Sequence, residues 1–177
     1  MSYYIRSIKS EFWENELPNG GHMTMPADCI TNCLKTTSNS LSIWKTESLE
    51  IHDEYNKKLL AAMALSVDRP KQYKVVFISD EELEELGLTL AETPGDTPFE
   101  EYQHTHRDIT NLTLDTIGKF AWLIQSKVND DGEFIDIVSV EEVVDFIKIY
   151  FLTRIVCQIN QNRVKNGEIS INKDIYQ

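Results

Sequence analysis

Three neighbouring stretches of the chain carry apolar patterns that specify their local structure. Leu41-Ser42-Ile43-Trp44 alternates apolar and polar side chains, Ile51 to Leu65 repeats its apolar residues at helical spacing, and Tyr73 to Ile78 is a continuous β-rich run. The order strand, helix, strand predicts a crossover unit, whose two strands are normally parallel and joined with a right-handed turn. The expected fold class is therefore α/β: a small mixed or mostly parallel sheet covered by helices, with a long apolar C-terminal helix.

The remaining pattern fills in around that unit. Ser2 to Ile8 predicts a strand, at an edge because it opens the chain, and Pro18-Asn19-Gly20-Gly21 a turn, with Phe12 and Trp13 anchoring the irregular segment between them. Thr24 and Pro26 predict the start of a short helix over Ala27 to Lys35. Ser48 is read as the cap of the Ile51 to Leu65 helix, and Asp80 to Gly87 as a short helix with acids in its first turn and a glycine after its end. Leu112 to Val128 is amphipathic, Ile135 to Ile137 predicts a short strand, and Ser139 with Glu142 forms a capping-box signature for a last helix over Val140 to Ile159. That helix reads as apolar on nearly all sides, and Glu168 to Tyr176 as a terminal strand. Asn129-Asp130-Asp131-Gly132 marks the expected division: an α/β core over 1–128, and an extension over 129–177 that packs on it as part of one domain.

Composition narrows the class. The chain has 177 residues, 41% of them hydrophobic and 26% charged, which fits one folded domain and excludes disordered or fibrous sequences. A net charge of -12 with no clustered Lys and Arg argues against direct nucleic-acid binding, which requires phosphate neutralisation. Three cysteines, Cys29, Cys33 and Cys157, cannot all pair within the chain, and reduced thiols in a cytoplasm are expected. No apolar leader follows Met1, and the apolar run from Val143 to Ile159 is interrupted by Asp145, Lys148, Arg154 and Gln158, so neither secretion nor membrane insertion is expected.

Chemistry-bearing residues concentrate at Asp96 and at His104-Thr105-His106-Arg107-Asp108, which hold half of the four histidines and are read as a connection after the core sheet. Histidines two apart in an extended or loop segment can both reach one ion, with Asp108 as an oxygen ligand and His22 or Asp96 completing the set. The segment resembles the H-x-H-x-D-H motif of metallo-β-lactamase-like hydrolases, except that Ile109 stands where the final His belongs. His106-Arg107-Asp108 also resembles the protein-kinase catalytic-loop triplet, but Thr113 occupies the Mg²⁺-binding Asn position and no glycine loop is present. Cys29 and Cys33 share a helix face without a second ligand pair, and the expectation is a pair of buried, inert thiols. The Thr36 to Ser40 turn lacks the glycines of a phosphate loop.

Ala27 to Thr36, Asn39 to Trp44, Gly95-Asp96-Thr97-Pro98 and His106-Arg107-Asp108 together resemble a family of small, uncharacterised bacterial cytoplasmic proteins. The resemblance covers Tyr4 to Ile124, implies no known activity, and leaves the C-terminal helix outside the shared part.

Two stretches without any Lys or Arg, Asp80 to Glu101 and Asp130 to Asp145, carry the acidic charge. With no complete catalytic set, the expected function is a non-enzymatic acidic protein-interaction module of the immunity, antitoxin or defence-accessory kind. It would need no cofactor, would take a protein partner with a basic surface, and would self-associate as a homodimer through the Val140 to Ile159 helix. The alternative is a small divalent-metal-dependent hydrolase or nucleotide-processing enzyme with its site at Asp96, His104, His106 and Asp108.

Overall fold

The computed structural model describes residues 2–13, 25–66, 71–129 and 135–165, the last ten of them as backbone. Six strands, β1 (Tyr3–Ile8), β2 (Leu41–Thr46), β3 (Tyr73–Ser79), β4 (Thr89–Glu92), β5 (His106–Thr110) and β6 (Ile135–Val138), form one sheet in the order β4-β5-β2-β1-β3-β6. Every pairing is antiparallel. Among the described residues five α-helices accompany them: α1 (Glu54–Ala64), α2 (Asp80–Glu85), α3 (Glu100–Gln103), α4 (Leu114–Asn129) and α5 (Val140–Lys165).

The expected parallel sheet is thereby corrected, for a reason visible in the register. β2 and β3 do run in the same direction, as the strand-helix-strand unit requires, but β1 lies between them and pairs antiparallel with both, Ile5 facing Trp44 on one side and Phe77 on the other. The crossover through α1 skips one strand. The opening strand is thus central rather than an edge, which suits a segment whose Tyr4, Ile5 and Ile8 are buried on both faces of the sheet.

Each face carries its own apolar layer. Tyr4, Leu41, Ile43, Val76, Ile78 and Ile109 pack against Ile117, Phe120, Ala121 and Ile124 of α4, with Leu83 of α2 and the buried Trp13 joining them. Ile5, Trp44, Val75, Phe77 and Val138 pack against Leu59, Leu60 and Met63 of α1, with Phe99 and the α5 residues Val143, Phe146 and Phe151 beyond. β3, covered on both faces, is buried from Tyr73 to Ile78, which explains its apolar run from Val75 to Ile78.

Caps set several helix starts. Asp53, not Ser48, caps α1 by accepting from the Asn56 N–H, so the helix starts later than its apolar pattern suggests. Ser79 and Glu82 form a reciprocal capping box on α2, and Ser139 and Glu142 form one on α5. Gly87 follows α2 with φ of +67°, the left-handed conformation expected of a helix-ending glycine. Over Ala27 to Lys35 the helix narrows to a π-helical turn, Cys29–Cys33, whose two thiols are buried and unpaired.

α5 is long, yet the expectation of a helix apolar on nearly all sides is also corrected. Val143, Phe146 and Phe151 are buried, while Glu141, Asp145, Lys148, Ile149, Leu152, Thr153 and Arg154 are exposed, so a single stripe faces the core. Phe151 stacks on Phe99 with ring centroids 3.9 Å apart, and the Arg154 guanidinium lies 4.6 Å above the Phe99 ring while pairing with Glu101. Among the described residues no helix is long and apolar enough to cross a membrane. The turn expected at Pro18 to Gly21, His22 and the strand expected at Glu168 to Tyr176 lie outside the described residues.

Burial also ties stability to high pH. Burial, reinforced by the hydrogen bond to Asp80, pushes the Tyr4 phenol up to about 12, and burial does the same to Tyr73. Burial, with Cys33 nearby, pushes the Cys29 thiol up to about 11. All three groups hold their protons more tightly folded than unfolded, so their stabilisation is complete below their unfolded values and is lost as pH rises through about 11 to 12. The urea midpoint should therefore fall as pH is raised from about 9 towards 12, and Tyr73→Phe should flatten the fall. A midpoint constant over that range would contradict the assignment.

Candidate functional site

His106, Arg107 and Asp108 lie on β5, between β4 and β2, and not on the connection that their polarity suggests. Ile109, fully buried against the α4 layer, pins the register. Because successive strand residues point to opposite faces, His106 and Asp108 lie on one face and Arg107 on the other. His106 sits opposite Trp44 and Asp108 opposite Ser42, so all four share the face that carries α1.

Thr93, immediately after β4, links the two functional side chains. The His106 ring Nδ1 is 2.8 Å from the Thr93 hydroxyl and 3.1 Å from the Thr93 carbonyl oxygen. A carbonyl can only accept, so in this contact the His106 Nδ1 is the donor. The Thr93 hydroxyl in turn donates to Asp108 Oδ2 at 3.0 Å, while Ser42 Oγ donates to Asp108 Oδ1 at 3.2 Å. The Trp44 ring closes one side, edge-on to the buried imidazole with centroids 4.9 Å apart. His106 Nε2 and Asp108 Oδ1 face each other at 4.0 Å, beyond hydrogen-bond distance.

Arg107 does not pair with Asp108, since the two lie on opposite faces of the sheet. Its Nη1 donates to the carbonyls of His104 and His106, both at 2.7 Å, and its Nη2 to Glu92 Oε1 at 2.8 Å. On this face Tyr4 donates to Asp80 Oδ1 at 2.7 Å and the Ser2 N–H to Asp80 Oδ2 at 3.0 Å. Burial alone would raise the Asp80 carboxyl, but those two hydrogen bonds hold it below its ordinary value.

The other expected site residues stand apart. His104 ends α3 and is exposed, and Asp96 is exposed in the turn after Pro94. His104 and Arg107, with Glu92, Thr93, Glu100 and Gln103, line an open cleft of about 340 Å³ beside the sheet edge. Thus His106 and Asp108 come together, whereas His104 and Asp96 join neither of them. Among the described residues no group of three or more His, Cys, Asp or Glu side chains stands in position to hold a metal ion. Cys29 Sγ donates to the Phe12 carbonyl, and Cys33 Sγ accepts from the Trp13 indole N–H and the Lys9 N–H, so both thiols are engaged in packing the N-terminal segment.

Thr93, Ser42 and Trp44 are the members of the network that sequence reasoning missed. Ser42 and Trp44 lie in a recognisable strand, but only its pairing with β5 shows that they meet Asp108 and His106. Thr93 follows a four-residue strand too short to be read from pattern, and is followed by Pro94. In comparisons with known proteins, no family model, no curated protein and no solved structure matches the chain.

Proposed function

We propose that the chain is a non-enzymatic interaction module that docks an acidic surface onto a protein partner with a basic surface, as an immunity, antitoxin or defence-accessory protein would. The observation that carries this reading is the outer face of α2. Glu81, Glu84 and Glu85 are exposed there, and none has a cation partner among the described residues. Like charges three and four residues apart on a helix repel, so the arrangement costs stability that a basic partner would recover. Glu92, which pairs with Arg107, is exposed on β4 at an edge of the sheet, Asp96 in the turn after it and Glu100 at the start of α3.

Copurification of the tagged chain from its native host at low salt should return a stoichiometric basic partner that is released as salt is raised. A Glu81→Lys/Glu84→Lys/Glu85→Lys variant should fold and lose it. If the wild-type chain returns no partner, or the variant retains it, the reading fails.

The facing of His106 Nε2 and Asp108 Oδ1 supports the second reading, a divalent-metal-dependent hydrolase or nucleotide-processing enzyme. One equivalent of metal in chelator-free protein, lost in a folded His106→Ala variant, would put that reading first.

A further inference from the structure

We propose that Cys33 is a modification site, a nucleophilic sulfur that a small hydroperoxide oxidises to a sulfenic acid while Cys29, on the same π-helical turn, stays reduced. The two thiols lie under the same N-terminal segment but are held in opposite ways. Cys29 is 0% exposed and gives its S–H proton to the Phe12 carbonyl at 2.9 Å. Cys33 is 6% exposed, and its sulfur only accepts, from the Trp13 indole N–H at 3.1 Å and the Lys9 N–H at 3.3 Å. Among the described residues no acceptor takes a proton from it. Two donors aimed at one sulfur favour its negative form, which is the form that attacks.

A separate observation points to the same charge. The Arg6 guanidinium, on β1, donates to the carbonyls of Ser42 at 2.7 Å and Cys33 at 3.0 Å, and pairs with no carboxylate among the described residues. Its Nε is buried without any hydrogen-bond partner. A guanidinium keeps its proton, so a cation has been taken from water here, which is costly unless an anion stands nearby. Burial pulls the Arg6 guanidinium down from its ordinary value, and the Cys33 sulfur is the negative charge that opposes the shift. Cys29 has no such cation beside it: burial, then Cys33 and Asp28, push its thiol up to about 11. The reaction needs only the peroxide. An S–O bond forms as the O–O bond breaks, the sulfur gives two electrons to the peroxide, and the leaving oxygen takes the proton that the thiol released. None of this surface is shared with α2, and the site stands without the partner proposed there.

The full chain, reduced and then treated with hydrogen peroxide in the presence of dimedone, should carry the sulfenic-acid adduct on Cys33 at least about tenfold faster than on Cys29, as placed by fragmentation mass spectrometry. Opening of the N-terminal segment would expose both thiols alike, so this ratio separates a reactive sulfur from a loosened fold. Trp13→Phe keeps an aromatic ring but loses one N–H donor, and Arg6→Gln loses the charge. Each should lower the ratio of Cys33 to Cys29 adduct about fivefold or more, with unchanged circular dichroism. Should Arg6→Gln fail to fold, Trp13→Phe alone carries the test. Equal adduct on the two thiols, none on Cys33, or a ratio untouched by Trp13→Phe would each overturn the proposal.

Discussion

Asn56→Ala should lower stability by about 3–4 kcal/mol, although the residue lies in a region with no role in the His106 network. Asn56 is fully buried in the first turn of α1, and its side chain holds together the segment that leads into the helix. Its Nδ2 donates to the carbonyls of Ser48 at 3.0 Å and Glu50 at 2.9 Å, while its Oδ1 accepts from the Thr46 hydroxyl. Removing the amide takes a partner from the buried Thr46 hydroxyl and from the Ser48 and Glu50 carbonyls, and leaves a void where the fully buried side chain stood. At about 2–4 °C per kcal/mol for a chain of this size, the melting temperature should fall by roughly 6–15 °C. Thr46→Val removes the bond to Asn56 Oδ1, and with it the sharing of that hydroxyl proton with the Ser48 carbonyl and the hydrogen bond the hydroxyl accepts from the Ser48 N–H. The double variant should accordingly lose less than the sum of the two single losses. If Asn56→Ala melted within a degree or two of wild type, the loop would not be held in this way.

Local elements were more legible than their partners. The periodicities of Leu41 to Trp44, Ile51 to Leu65 and Tyr73 to Ile78 correspond to β2, α1 and β3, because each repeat reports which side chains one element buries. Nothing in a crossover unit's own residues says whether its strands touch, and here β1 separates them. The sheet's antiparallel character therefore lay in long-range pairing. His104 to Asp108 reads as a connection because His, Arg and Asp are poor strand formers, and only the buried Ile109 and the cross-strand partners Trp44 and Ser42 overrule that preference from His106 on. For α5, an inventory of apolar residues concealed the distinction between buried Phe146 and Phe151 and exposed Ile149 and Leu152. As for the site, the sequence indicated His106 and Asp108 but not their separation from His104 and Asp96, which depends on where α3 ends and β5 begins.

Gly95→Ala should destabilise the fold by about 2–3 kcal/mol and disturb the His106 site at the same time. The restriction is steric. A Cβ at Gly95 would stand 2.4 Å from Trp44 Cη2, 2.7 Å from Trp44 Cζ3 and 3.0 Å from His106 Cβ, so the close packing of backbone against an indole leaves no room for a methyl group. The loop cannot simply retreat, since the Gly95 N–H donates to the Gln103 carbonyl at 2.9 Å and the Gly95 carbonyl accepts from the Thr97 N–H at 3.0 Å. Nor is the ring free to swing, because Trp44 is buried in the layer beneath α1 and bounded by the His106 imidazole. Either the indole or the Thr93 to Thr97 segment must move, and a shift of either loosens the contacts that orient the imidazole, the indole directly and the segment through Thr93. The expected signature is a lower urea midpoint together with a changed His106 ring resonance and altered tryptophan emission. Trp44→Phe removes the atoms that clash, so in that background the alanine should cost well under 1 kcal/mol. An alanine variant within about 0.5 kcal/mol of wild type, with the His106 resonance unmoved, would mean that Trp44 does not pack on Gly95.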